Sequence, residues 1–285
     1  INASNIEFLP GFVYKTTADV AKFKLVEDIN LSTINHSDAT SEVTDYLTEL
    51  SLKEFKGTFD GNGKTLSNLN IEQSFNGDIG LFGRVIDANI SNLNISNPTL
   101  KGYYNIGTLA GYANRTNVNN VDITNLTITG DSTSPNGKMG GLIGHNTVST
   151  TGTYTLQNSQ VSGTINGFGS HIGGLVGHNE KIAISDSSAN VAVTSTTGDY
   201  VAGLVGYNSL ANITNSSAIG NVTATGRNYI GGLIGFNTGV SSTGSLISGS
   251  FATGKVIGAN YAGGLIGYNT TYSTVNGSYA TGDVE

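Results

Sequence analysis

From residue 55 onward the chain is filled with short runs in which apolar and polar residues alternate, rich in β-branched side chains and separated by Gly, Asn, Ser and Thr. In the run 188–193, for example, Ala189, Val191 and Val193 fall on one face of an extended backbone and their neighbours on the other. Such runs predict strands. None of them has the period or the helix-former content of a ten-residue helix. Residues 41 to 54 are the one segment that reads as a short helix.

The runs belong to a repeat. The segments IGLFG (79–83), IGTLAGY (106–112), MGGLIGHN (139–146), IGGLVGHN (172–179), VAGLVGYN (201–208), IGGLIGFN (230–237) and AGGLIGYN (262–269) align on Leu81, Leu109, Leu142, Leu175, Leu204, Leu233 and Leu265, with spacings of 28, 33, 33, 29, 29 and 32 residues. A second element, QNSQVSGTI (157–165), SDSSANVAV (185–193), TNSSAIGNV (214–222), SGSFATGKV (248–256) and NGSYATGDV (276–284), aligns on Ser159, Ser187, Ser216, Ser250 and Ser278. Most length variation falls after the motif Asn, so 147–155 and 238–245 are expected to be loops leaving one corner.

A unit of about 30 residues cannot bury its own apolar face and must stack on its neighbours. The fold class expected is all-β: a right-handed parallel β-helix with about three strands per coil and eight or nine coils, on the order of 40 Å long at the spacing of paired strands. Stacking assigns roles. Asn146, Asn179, Asn208, Asn237 and Asn269 should form a corner column, where Asn tolerates the left-handed conformation and its amide reaches the Asn above and below. His145, His178, Tyr207, Phe236 and Tyr268 should form a column of rings, and Val161, Ala189, Ala218, Ala252 and Ala280 a tight interior column. The motif glycines should allow close approach of backbones, which gives the surplus of 40 Gly a purpose.

Residues 1–78 carry 12 of the 20 acidic residues and are expected to be an N-terminal capping element with the first coil, leaving 79–285 as the repeat solenoid. A chain that opens Ile1-Asn2-Ala3 and stops at Glu285 in mid-coil is expected to be a piece of a longer array.

The GGLxGxN segments, alternating with NSSAxGxV segments and preceded by FKGTFDGNGKTLSNLNI (55–71), resemble the GLUG-motif proteins of bacterial cell surfaces over roughly residues 55–285. Similar repeats occur in large secreted adhesins and in the non-catalytic region of IgA-specific metallopeptidases. The resemblance implies a non-enzymatic structural or interaction module of a secreted or surface adhesin. Its expected partners are a host or matrix glycan or protein and further repeats of the same chain.

The candidate chemistry is sparse. Zinc peptidases require HExxH, and His36, His145, His171 and His178 do not form it. His145 and His178 share a repeat position and could stack about 5 Å apart, but Tyr and Phe at that position favour a column of rings over a metal pair. The acids after residue 78 (Asp87, Asp122, Asp131, Glu180, Asp186, Asp199, Asp283 and Glu285) share no repeat position. A carbohydrate-active β-helix enzyme, which works with clustered carboxylates, is therefore the second reading. Ice binding is a minor third, since the threonines of 193–198 and 222–226 lose their register at 257–259. DGNGK (60–64) reads as a turn, matching neither an EF-hand nor a P-loop. Tyr103, Tyr104, Tyr154, Tyr200, Tyr229, Tyr261 and Tyr272 lie near turns and could stack on sugars, without any one standing out. No catalytic, cofactor or metal residue is assigned.

The remaining composition excludes other classes. A net charge of −7 without a basic cluster argues against nucleic acid. No apolar run is long enough for a membrane span, and zero Cys excludes disulfides and thiolate chemistry.

Overall fold

The computed structural model describes residues 22–33, 54–72, 77–130, 136–149, 151–242 and 244–285. The expected helix at 41–54 falls outside them except for Glu54, which opens the strand Glu54–Ser67. Among the described residues the helical element is a single 3-10 turn, Leu31–Thr33.

Among the described residues all strands pair in parallel, each turn of chain with the next, as a β-solenoid of about seven turns, fewer than the eight or nine expected. One complete turn runs through His171–Gly173, Val176–Glu180, Ala183–Ser185 and Ser188–Ser195. The first of these, the motif strand, belongs to a seven-stranded sheet. The rest join a 24-stranded sheet that wraps the remaining sides. The same residues recur in register: Asn146 opposite Asn179, Asn179 opposite Asn208, Ala189 opposite Ala218. Alternation explains the faces. Ala189, Val191 and Val193 are buried while Asn190, Ala192 and Thr194 point out.

Residues of the charged N-terminal segment continue the same sheets. Phe23 pairs with Phe59 and Ile29 with Leu66. Phe55, Phe59 and Phe82 pack ring to ring inside the first turns, with centroids 4.6–6.3 Å apart.

The corner that closes each turn depends on the motif glycines. The motif strand lies backbone against backbone on the strand that follows it. A Cβ at Gly173 would sit 2.1 Å from the Val176 carbonyl oxygen, and one at Gly203 would sit 2.3 Å from the Gly232 oxygen and 2.8 Å from the Ala218 methyl. The second glycine of each pair therefore faces the alanine column from inside, which links the two halves of the repeat: where one wall has no side chain, the other has only a methyl. Leu142, Leu175, Leu204 and Leu233 are fully buried at the corner, and their amides donate to the Leu carbonyl of the following turn at 2.8–3.1 Å. At Leu81, where the motif departs from Gly-Gly, the ladder slips by one residue, the Leu81 amide donating to the Thr108 carbonyl and that of Phe82 to Leu109.

Two buried polar ladders run alongside. The amide nitrogen of Asn179 donates to Asn208, that of Asn208 to Asn237 and that of Asn237 to Asn269, at 2.8–2.9 Å. These asparagines are strand residues, so the left-handed conformation expected of them is found elsewhere. It belongs to the residue preceding each repeat serine: Asn158, Asp186, Asn215, Gly249 and Gly277, with φ between 48° and 58°. The serines form the second ladder. The backbone amides of Ser159, Ser187, Ser216 and Ser250 each donate to the hydroxyl of the serine one turn on, at 3.1–3.3 Å. Each hydroxyl in turn donates to the carbonyl two residues back. Both length insertions connect the same two strand columns, as expected of loops from one corner.

Two substitutions test this account. Asn208→Ala removes a buried amide that bonds Asn179, Asn237 and the Ala211 carbonyl, and should cost about 2–4 kcal/mol in urea unfolding. Gly203→Ala should cost about 3 kcal/mol or more, because backbone must move to admit the methyl. A loss below about 1 kcal/mol for either would contradict the role given to it.

Candidate functional site

Two outward positions of every turn face each other across the glycine corner. One is the residue two before the first motif glycine, or before Ala202 where alanine replaces it, giving in order Asp78, Asn105, Lys138, His171, Tyr200, Tyr229 and Tyr261. The other precedes the motif Asn or its equivalent, giving Arg84, Tyr112, His145, His178, Tyr207, Phe236 and Tyr268. Both point outward because their strand neighbours, such as Ile172 and Asn179, point into the core.

Toward the C-terminal end the cleft is an aromatic zipper. Tyr200 stacks on Tyr229 at 5.2 Å and Tyr229 on Tyr261 at 5.0 Å, both within 6° of parallel. In the facing column Tyr207 stacks on Phe236 at 5.2 Å and 3°. The columns meet edge to face, as Tyr200 does Tyr207 at 5.4 Å and 86°. Such pairs contribute about 0.5–1.5 kcal/mol each beyond area burial. The ring column is as expected. Its partner column, into which Tyr200, Tyr229 and Tyr261 fall, was hidden in the sequence because chemistry changes along it from carboxylate through amide, ammonium and imidazole to phenol. The detectable signal was position relative to the glycine. Stacking also covers ring faces that sugars would need, leaving mainly edges free along the zipper.

At the N-terminal end the cleft is polar. A depression of about 560 Å³ is lined by Asp78, Arg84, Tyr104, Asn105, Tyr112, Lys138 and His145. Asp78 accepts from Arg84 at 2.8 Å and from Asn105 at 2.6 Å, yet burial still pushes its carboxyl above the usual range. Burial pulls the Lys138 ammonium down. The Arg84 guanidinium caps the ring stack, 4.3 Å from the centre of Tyr112.

Between the two ends sit three imidazoles. His145 and His178 are opposite each other in register with ring centres 4.8 Å apart, and His171 lies 5.0 Å from His178. Burial, reinforced by the positive charge of Lys138, pulls His145 and His171 down to about 3 and His178 to about 4. Glu180, two residues past His178 on the same face, completes a group in which one ligand atom from each of His145, His178 and Glu180 lies within 4.8 Å of the others. The Thr147 hydroxyl donates to Glu180 at 2.9 Å.

The other sequence candidates are dispersed. Asp87 pairs with Arg115, Asp199 with Arg227 and Glu285 with Lys255. Asp186 accepts from Asn215. Asp122, half-buried opposite Gln160 in the next turn, has no carboxylate among its register partners, Asn94 and Gln160. Asp131 and His36 lie outside the described residues. In DGNGK the chain turns through Asn62 and Gly63, both at positive φ, with Asp60 accepting from the Asn62 amide. Thr194 and Thr223 meet Ile257 at the next level, so no threonine ladder forms.

Fold and repeat together define a parallel β-solenoid, in which residues 168–194, 197–223 and 258–285 match the family described as the GLUG motif. A stretch of 107 residues is 35% identical to halomucin of Haloquadratum walsbyi, covering 37% of this chain and 1% of that one. This chain thus corresponds to a small fraction of that relative's length. Two solved structures share the fold at 18% identity. One is a putative immunoglobulin A1 protease from Bacteroides ovatus, with TM-score 0.63 over 100% of this chain and 82% of the other. The second is an IgA1 protease, with TM-score 0.66 over 99% of this chain and 21% of the other.

The lowered histidines set a pH dependence. A chain whose imidazoles take protons near 6.5 when unfolded, but only near 3 to 4 when folded, keeps their full stabilising contribution above about pH 6.5 and loses it on acidification toward about pH 3. In chelator-treated protein the Tm should therefore fall over that window. A His145→Tyr, His171→Tyr, His178→Tyr variant, which extends the zipper, should lose less. Equal acid sensitivity in the two proteins would refute the assignment.

Proposed function

We propose that this chain is a non-enzymatic module of a large secreted or cell-surface protein, a stiff spacer whose lateral cleft and corner loops attach it to host, matrix or other surfaces. The observation that carries the proposal is the division of labour in the repeat. From Leu142 to Ser250 the motif leucine, asparagine and serine recur turn after turn in buried positions that hold one turn to the next, beside the motif glycines. Acidic groups, in contrast, sit at unrelated positions, several of them paired with a basic side chain. Acid and base catalysis needs carboxylates held together across a substrate, and a spacer needs the buried ladders. The GLUG motifs support the same reading, and the extracellular setting rests on the kinship with halomucin and with the IgA1 protease folds.

The test is a glycan and matrix-protein array probed with the purified chain, followed by chromatography of incubated oligosaccharides. Binding that leaves the oligosaccharides intact is the expected result. Release of shortened sugars would replace this proposal with a carbohydrate-active enzyme.

A further inference from the structure

We infer that His145, His178 and Glu180 form a binding site for a borderline transition-metal ion of the zinc class, bridging two adjacent turns. In a strand, residues i and i+2 project from one face, so His178 and Glu180 stand side by side. The parallel register then places His145 of the preceding turn beside His178. Three donors converge from two strands, each within 4.8 Å of the others by one ligand atom. Tetrahedral zinc needs donors roughly 3.3 Å apart at bonds of about 2.0–2.2 Å, so the three close in from within 4.8 Å on binding.

Two further observations point to a ligand. His178 Nδ1 is buried with no hydrogen-bond partner among the described residues, an arrangement that costs free energy unless something binds there. Glu180 is oriented by the Thr147 hydroxyl, and hydrogen bonds of this kind hold metal-ligating carboxylates in place. Two imidazoles and one carboxylate favour zinc, copper or nickel over calcium or magnesium, which take oxygen. Three protein donors leave a position open to water. Lys181 Nζ lies 3.5 Å from Glu180 Oε1, and its flexible stem can withdraw when a cation binds.

The repeat supplies its own control variants. Phe236 occupies the position of His178 two turns on, and Ser209 that of Glu180 one turn on, so His178→Phe and Glu180→Ser install residues that this column already accepts. The experiment is titration of Co²⁺ into tag-free, chelator-stripped protein, followed by the visible absorption of tetrahedral cobalt, then displacement by Zn²⁺ and calorimetry with Zn²⁺ alone. The parent chain should bind one equivalent at micromolar metal and gain in Tm. His178→Phe should weaken binding by about 100-fold, and Thr147→Val by about tenfold, with unchanged circular dichroism. No cobalt absorption and no zinc heat in the parent, or parent-like affinity in folded His178→Phe, would overturn the assignment.

Discussion

The solenoid depends on one close approach, the meeting of two backbones at the glycine corner. A sheet closed over a narrow core must turn sharply somewhere, and here it turns where a strand lies on the next with no side chain between them. The cost is high in conformational entropy, since each glycine restricts an unusually free residue. It is offset by what the approach permits: a buried leucine in every turn from Leu81 to Leu233 and a set of backbone hydrogen bonds along the corner. The alanine column follows from the same constraint, because a methyl is what fits opposite the second glycine. Ladders of asparagine and serine then satisfy backbone and side-chain polar groups that the tight path takes out of water.

Much of this was legible in the sequence because a repeat states its register openly. Seven leucines at nearly constant spacing give the stacking axis, and residues at a fixed offset from them must form columns. The ring column and the asparagine ladder follow directly. The left-handed position was misplaced, since an asparagine can either turn the chain or bridge turns, and composition does not distinguish these. Asn179 bridges turns; Asn158 and Asn215 turn the chain. What fixes the difference is the serine that follows, whose hydroxyl takes the amide of the previous turn.

The cleft was less legible, for a physical reason. Core positions repeat because neighbours in the stack demand the same volume, whereas outward positions answer to no such demand and vary freely. Lys138 and His171 share a place with Tyr200, and similarity in chemistry would not align them. The variation is itself informative: the same scaffold grades its outer cleft from ionic through imidazole to aromatic, one turn at a time. The chemical differences between turns therefore lie in these two columns and in the corner loops, while the interior stays nearly constant.

The buried ladders also have a direction. Along the asparagines from Asn146 to Asn269, each amide nitrogen gives to the oxygen of the following turn, and the serines' own backbone amides donate to the hydroxyl one turn on in the same sense. The rod is thus polar in the vectorial sense, one face of each turn offering donors at these positions and the other acceptors. A further turn, from this chain or another, can extend the ladders only head to tail. An end-to-end joint with opposed directions would set donor against donor, so growth of such a stack proceeds by translation along its axis, never by a two-fold rotation across its end.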